Sequence, residues 1–429
     1  MIKKIIIGLF FLINLAIIIC FWWLGSNSAP LLISLGRLAG LLAAYLVLWQ
    51  LLLIGRIKFL EQTFGLDRLA VIHHLNGFCA LLFIILHPLF LSWGYGARRG
   101  INALTQFFSF FNWESLPAAF LGTAIFLVVV IISVGMIQKK FKYETWYFIH
   151  LSLYLAIIWA FGHQQEVGRD LQNVIFAGYW NVLYFFFVAA LIYYRLLLPL
   201  YHFYFQRFTI YKIVPENGGA VSIYIAGRNL KAYPVLAGQF FIVRFLNRLA
   251  WQAHPFSLSC TPNCDYLRLT VKPLGDFTTN LAEKIKVGDM IILDGPHGVF
   301  TKKRLHTNKV ALLAGGIGIT PLRSLAEDLS REGRDVVLLY ANRQESDIIL
   351  KDELANLEKV RLVNILSQDP NFAGEKGHID EEKITRLIPD YLERDFYICG
   401  PSAMRAGVVK ALKKLGVNRR QVHFEKFSF

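Results

Sequence analysis

Six apolar stretches, near residues 4–24, 31–54, 69–93, 118–137, 146–164 and 178–198, dominate the first half of the chain. Each is close to the roughly 20 residues a helix needs to cross a bilayer, so the pattern predicts an all-α bundle of six transmembrane helices. After residue 205 the pattern changes. Short alternating runs such as Val221–Ile225, Gln239–Phe245, Leu267–Val271 and Met290–Leu293, separated by Gly and Pro turns, read as a small antiparallel β-barrel. Beyond residue 305 strands alternate with helical stretches, which predicts a doubly wound α/β domain. The expected organisation is multidomain: a membrane bundle over 1–204, a barrel over 205–304 and an α/β domain over 305–429.

Charge sharpens this division. Residues 1–204 hold 13 Lys+Arg and 6 Asp+Glu (net +7), against 32 and 24 (net +8) in 205–429. The second part therefore has the charge density of a soluble protein, and neither part alone accounts for the basic balance. A nucleic-acid partner is not expected. Lys3, Lys4, Arg56, Lys58, Arg68, Lys139, Lys140, Lys142 and Arg195 flank the spans on one side, and only Arg98, Arg99 and Arg169 on the other. The positive-inside rule puts both termini in the cytoplasm of a multi-pass protein of the cell membrane. The first span begins like a signal peptide, but Ile19 before Cys20 and the Phe21-Trp22-Trp23 run offer no small-residue cleavage site, which favours a retained helix. Five scattered cysteines make no disulfide framework, and Cys260-x-x-x-Cys264 lacks zinc-finger spacing.

Two histidine pairs change the picture most. His73 and His87 lie 14 residues apart on the third span, and His150 and His163 lie 13 apart on the fifth. Such residues can be interfacial, hydrogen-bonded to neighbouring helices. Ionisable residues inside a membrane nonetheless suggest function by default, and two pairs at matching depths could clamp two haems through axial imidazoles. A rise of about 1.5 Å per residue puts the levels roughly 20 Å apart. Depth matching pairs His73 with His150 and His87 with His163. His74 competes with His73, which is preferred because it shares a helix face with His87. A 13-residue spacing leaves His163 about 140° from His150 on an ideal helix, so a bend is needed, with Gly162 the candidate. Arg37, a cation inside the second span, could neutralise a haem propionate or snorkel to headgroups.

The second half carries motifs for two nucleotides. In His254-Pro255-Phe256-Ser257-Leu258-Ser259, a serine after an aromatic could bond a flavin ring. Val271-Lys272 then leads into Gly275-Asp276-Phe277-Thr278-Thr279, where a glycine admits a pyrophosphate and Lys272 and Thr278 supply donors. The apolar strand Val310–Ala314 leads into Gly315-Gly316-Ile317-Gly318-Ile319-Thr320-Pro321 and a helical stretch, a strand–turn–helix phosphate cradle. Arg343, after the next strand, could meet the 2′-phosphate of NADPH. Cys399-Gly400-Pro401 makes a second turn at a strand's carboxyl end, placing Cys399 beside a nicotinamide. Phe429, after a last strand, could cover the flavin until nicotinamide displaces it; a frayed or packed tail is the alternative.

With HPFSLS, GDFTTN, AGGIGITP and CGP in this order, residues 205–429 resemble the ferredoxin–NADP reductase family. Preceded by HHLNGFCALLFIILH and HLSLYLAIIWAFGH, nearly the whole chain resembles a bacterial member of the NADPH oxidase and ferric reductase superfamily. That resemblance implies six helices with two b-type haems, FAD, and NADPH or NADH. It implies an inner haem on His73 and His150 and an outer haem on His87 and His163. FAD would contact His254 through Ser259, Lys272, Gly275 and Thr278. The nicotinamide cofactor would contact Gly315, Gly316, Gly318, Thr320, Pro321, Arg343, Cys399, Gly400 and Pro401, with Phe429 stacked on the flavin. The expected activity is electron transfer to an external acceptor, with O2 giving superoxide in the lead and a ferric chelate close behind. Passage of electrons to a protein or quinone partner is a reading of a different class.

Overall fold

Backbone amides find no water in hydrocarbon, so the apolar stretches satisfy themselves as helices. The computed structural model describes residues 2–26, 29–114, 116–134, 143–246, 252–262 and 265–425. Among them are six spans of membrane-crossing length and composition. They are α1 (Ile2–Leu24), α2 (Leu31–Ile54), α3 (Leu66–Arg99), α4 (Leu116–Ser133), the pair α5 (Tyr143–Leu151) and α6 (Leu153–Val167), and α7 (Val174–Ile192), which continues through a π-helical turn into α8 (Leu198–Gln206). The chain forms two compact units, Met1–Thr63 with Arg68–Tyr194, and Phe64–Asp67 with Arg195–Phe429. The boundary falls inside the last span because α8 packs on the barrel: the His202 ring meets that of Tyr233, whose hydroxyl donates to Gly295 O at 3.0 Å.

In the membrane unit α2 is the hub, with half of its apolar window buried against 6–33% for the other spans. Its Gly36-x-x-x-Gly40 motif explains the close approach of α3. A Cβ at Gly36 would lie 2.7 Å from Leu91 Cδ2, and one at Gly40 would lie 2.6 Å from His87 Nδ1. Small residues of this spacing let helix backbones meet where lipid supplies no hydrophobic drive. Side-chain hydrogen bonds add to the packing: Trp22 Nε1 donates to Ser34 O, Tyr45 Oη to Phe11 O and Tyr179 Oη to Asn14 Oδ1, each at 2.8 Å. The irregularity expected at Gly162 lies instead at Ser152, between α5 and α6. There Ser152 N–H bonds Ile149 O three residues back and the Ser152 hydroxyl donates to the same carbonyl at 2.6 Å. A polar side chain bonding the ladder shifts the phase of a helix; Gly162 sits inside regular α6.

The second unit begins with the barrel. Strands β1 (Thr209–Pro215), β2 (Val221–Ala226) and β5 (Leu267–Val271) form one antiparallel sheet, and β4 (His254–Ser257), β3 (Phe240–Phe245) and β6 (Ile291–His297) the other. Bridges Leu258–Leu269 and Thr209–Met290 join their edges. Closure removes unpaired strand edges and encloses a core that includes Phe241, Phe245, Ile223, Leu258 and Leu269. The following domain is a six-stranded parallel sheet, β7 (Lys309–Gly315), β8 (Asp335–Asn342), β9 (Val360–Leu366), β10 (Glu375–Lys376), β11 (Arg394–Cys399) and β12 (Val422–Phe424), in the order β10-β9-β8-β7-β11-β12. The order reverses between β7 and β11, so their carboxyl ends open the crevice where such sheets bind ligands. Helix α9 (Ile319–Arg331) follows β7, and α10 (Ser402–Lys414) follows β11. Barrel and sheet are tied by an ion pair, the Arg268 guanidinium on Glu353 at 2.7 Å, and Arg323 of α9 also meets Glu353 as well as Glu327.

Far from the crevice, fully buried Asp395 fastens the connection between the two domains. Its carboxylate accepts from His306 N (2.8 Å), Thr307 N (2.7 Å), the Thr307 hydroxyl and His423 Nε2 (3.0 Å). Burial works to raise this carboxyl's pKa; the His423, His306 and Thr307 hydrogen bonds outweigh it and hold it below the usual range. Nearby Asp390 is held at about 2, chiefly by its Arg394 hydrogen bond. Depressed carboxylates stabilise the fold fully above the unfolded value of about 3.9, and that contribution is lost as pH falls through the folded value. Asp395→Ala strands several donors, each costing about 1–3 kcal/mol. Thermal melts of the purified chain should show a clear loss of stability at pH 7 and a smaller difference from the parent as the medium is acidified.

Candidate functional site

The membrane site is built on α3, α5 and α6. His73 and His150 have ring centres 6.1 Å apart, and His87 and His163 have theirs 6.4 Å apart. Two metal–imidazole bonds of about 2.0–2.1 Å, plus about 1.1 Å from each nitrogen to its ring centre, span roughly 6.3 Å. Both pairs therefore fit a metal held between facing imidazoles. Among the described residues no three His, Cys, Asp or Glu side chains converge as an ordinary metal centre requires; these histidines meet two by two. His74 is exposed and lies edge-on to Phe78, so α3 turns His73, not His74, toward His150.

Neighbouring groups orient these rings. His87 Nδ1 is 2.7 Å from Gly36 O, which fixes Nδ1 as the protonated nitrogen and leaves Nε2 for a ligand, the usual arrangement of a metal-binding imidazole. The Nδ1 atoms of His73, His150 and His163 are buried and have no hydrogen-bond partner among the described residues. Gln50 Nε2 donates to His73 O at 3.0 Å. Beside His163, Gln164 Oε1 accepts from Trp180 Nε1 at 3.0 Å and from the Tyr184 hydroxyl at 3.2 Å, which seats α6 on α7. Arg37, expected to serve a propionate, has a protein partner: its Nε donates to Asp170 Oδ2 at 2.9 Å, a second nitrogen meets Asp170 Oδ1, and Nη1 donates to Gly25 O.

In the second unit a cavity of about 270 Å³ opens between barrel and sheet, lined by His254, Pro255, Phe256, Ser257, Lys272, Thr278 and Thr320 from the expected set. The Ser257 hydroxyl is buried and has no hydrogen-bond partner among the described residues, so it offers its donor to whatever fills the cavity. His254 stacks on Phe277 with ring centres 3.8 Å apart. Two expected contacts are absent from the cavity lining: Leu258 is in the barrel core, and the Ser259 hydroxyl is taken by Thr270 Oγ1 at 2.7 Å. Lys272 Nζ is engaged by Asp347 at 3.1 Å. The Thr278 hydroxyl accepts from Leu274 and Gly275 N–H and so shapes the turn, while the space a Gly275 Cβ would enter is open.

The glycines after β7 divide their work. A Cβ at Gly318 would lie 2.3 Å from Cys399 O, and one at Gly315 would lie 2.4 Å from Met404 Sδ, so these two let the turns after β7 and β11 touch. Gly400 belongs to the same contact: a Cβ there would lie 3.0 Å from Gly315 Cα. Gly316 has φ +54° and open space around it, which makes it the residue suited to approach by a ligand. Pro321 stands in the first turn of α9, where no N–H is needed. Cys399 is fully buried; burial pushes its thiol pKa well up, with the Glu425 carboxylate adding to the effect, so it is a neutral thiol. Pro401 precedes α10 and Arg343 is exposed just past β8; neither lines the cavity. Phe429 lies outside the described residues.

Sequence reasoning missed Phe240, Thr270 and Glu425 in the cavity wall, Asp347 beside Lys272, and Asp170 beside Arg37. The alternation that puts Thr270 and Lys272 on one face, and the Gly36-x-x-x-Gly40 motif, were signals available in the chain. Asp170, 133 residues from Arg37, and Glu425 carried none.

Three family models match in succession: a ferric reductase like transmembrane component over residues 39–161, an FAD-binding domain over 206–316 and an oxidoreductase NAD-binding domain over 312–410. The chain is 29% identical over 239 residues to a flavohemoprotein of Bacillus cereus, covering 51% of this chain and 57% of that protein. It is 27% identical over 243 residues to flavohemoprotein A of Dictyostelium discoideum, covering 52% and 60%. It thus spans less than two thirds of these relatives' length. Among solved structures, the ferredoxin reductase in carbazole 1,9a-dioxygenase aligns at a TM-score of 0.47 with 26% identity, over 52% of this chain and 69% of that one. The second unit is therefore an FAD- and NAD-binding oxidoreductase module, joined to a multi-pass membrane component. Ser257→Ala removes the unpartnered hydroxyl that the cavity offers a flavin, whose hydrogen bond would be worth about 0.5–1.5 kcal/mol. It should weaken FAD binding roughly three- to tenfold, read by recovery of flavin fluorescence on dilution.

Proposed function

This chain has the architecture of the NADPH oxidase and ferric reductase superfamily, and from it we propose transmembrane electron transfer from cytoplasmic NADPH or NADH, through FAD and two b-type haems, to an acceptor outside the cell membrane. The observation that carries the reading is the pair of imidazole gaps, 6.1 and 6.4 Å, stacked along α3 and α5–α6. Bound flavin would take a hydride and release electrons singly, and the haem irons would carry them one at a time.

The chain's own groups have distinct parts in this scheme. Ser257 offers its hydroxyl to the flavin, Lys272 shares its charge between Asp347 and a phosphate, and the Gly316 turn admits the nicotinamide cofactor's phosphates at the head of α9. Cys399, buried and neutral, packs the end of β11 and takes no proton. His73 and His150 would hold the inner haem, and His87 and His163 the outer one, and each haem would supply one-electron transfer. At the outer end the hollow lined by Arg37, Arg169 and Asp170 measures about 190 Å³, below the roughly 300–1,000 Å³ of ordinary small-molecule sites. O2, reduced to superoxide, is the leading reading for the acceptor. The match to a ferric reductase like component supports a ferric chelate as the second reading.

An anaerobic spectrum of the detergent-purified chain before and after NADPH, then after air, tests the scheme. Reduced b-haem bands followed by reoxidation with superoxide support the oxidase; reoxidation by ferric citrate but not by air supports the second reading. Absence of haem overturns both. His87→Ala should lose one haem while NADPH still reduces the flavin, and retention of both haems would remove His87 from the site.

A further inference from the structure

A buried ion pair is seldom a net source of stability, because desolvating two charges offsets their attraction. The membrane unit nevertheless keeps one between spans: the side chains of Arg37 and Asp170 are 8% and 7% exposed. Its geometry is over-determined, with two guanidinium nitrogens on the two carboxylate oxygens and Nη1 on Gly25 O at 3.1 Å. A Cβ at Gly25 would lie 3.0 Å from the guanidinium, so a glycine is what lets the arginine lie against that backbone. The pair also joins the two strands of the candidate outer site. Arg37 is the next residue after Gly36, whose carbonyl holds His87 Nδ1 at 2.7 Å. Asp170 follows His163 by seven residues, in the 3-10 turn Arg169–Gln172 just beyond the end of α6. One turn of α2 thus grips His87 through its backbone and the His163 segment through its side chain.

We propose that the Arg37–Asp170 pair is the positioning and charge-balancing element of the His87–His163 site: it clamps the segment after His163 to the α2 turn that orients His87, and its two charges offset each other. The inference rests on the haem reading given above. It assigns Asp170 a part, and it gives Arg37 a role other than that of an unshared cation beside a propionate. With the pair intact, the charges of Arg37 and Asp170 cancel each other. Removing one partner leaves a unit charge in a poorly screened environment. A positive remainder favours the reduced iron and a negative remainder the oxidised one.

Potentiometric titration of the two haems in the purified full-length chain tests this, with midpoints as the readout and turnover not required. Asp170→Asn should raise the outer midpoint and Arg37→Gln should lower it, each by about a tenfold change in the one-electron equilibrium, or about 59 mV. The inner midpoint should stay in place. Arg37→Gln combined with Asp170→Asn should return the outer midpoint toward the parent value. Should a single variant fail to fold, Arg37→Lys, which keeps the charge but loses the two-pronged contact, should leave the midpoint near the parent value and broaden the outer haem's low-spin resonance. Unmoved midpoints, equal shifts of both haems, or shifts of the same sign in Asp170→Asn and Arg37→Gln would overturn the inference while the haem reading stands. A parent chain that binds no haem would instead overturn that reading.

Discussion

Polar groups inside an apolar bundle must be satisfied by the protein itself, and the membrane unit is arranged around that requirement. Helix α2 supplies most of the answer. Its glycines bring α3 within backbone reach, its Gly36 carbonyl takes the His87 ring, its Gln50 holds the His73 backbone, and its Arg37 meets Asp170. A span that carries none of the four histidines is therefore the one that orients the His87 ring and anchors the His73 backbone. Larger residues at Gly36 or Gly40 would separate α2 from α3 and remove the carbonyl that orients His87.

The oxidoreductase unit follows a different constraint. Two nucleotide-binding layers must meet closely enough for their ligands to touch, and the chain achieves this with backbone contact and buried charge. Gly315, Gly318 and Gly400 let the turns after β7 and β11 lie against each other. Arg268 meets Glu353 across the barrel–sheet boundary, where Arg323 also holds that carboxylate, and Lys272 reaches Asp347. Such contacts add little net stability, since desolvation opposes them; their value is in fixing how the cavity walls face each other. Ser257 contributes a hydroxyl donor to that cavity, and Cys399, buried behind the glycine turns, contributes packing.

The position of the bend between His150 and His163 shows how local and tertiary information divide. Helical arithmetic required a change of phase somewhere in thirteen residues, and glycine was the obvious candidate. The break occurs at Ser152 because a hydroxyl can compete for the Ile149 carbonyl, whereas Gly162 brings no group that could. The requirement was legible and its location was not. His73 and His74 differ in what they face: the His73 ring lies 6.1 Å from that of His150, and His74 lies against Phe78.

From composition and periodicity alone came the six spans, the barrel, the doubly wound sheet and the order of the nucleotide motifs, because each depends on patterns within a few tens of residues. The histidine pairing was legible too, since depth in a helix is set by residue count. Only the tertiary structure decided which motif residues face the cavity and which do not, as at Leu258, in the barrel core, and Ser259, bonded to Thr270. It alone paired Arg37 with Asp170, Lys272 with Asp347 and Asp395 with His423. These contacts join residues far apart in sequence, and no local propensity records them: a charge advertises that it needs a partner, but which partner it finds depends on how the helices and strands pack.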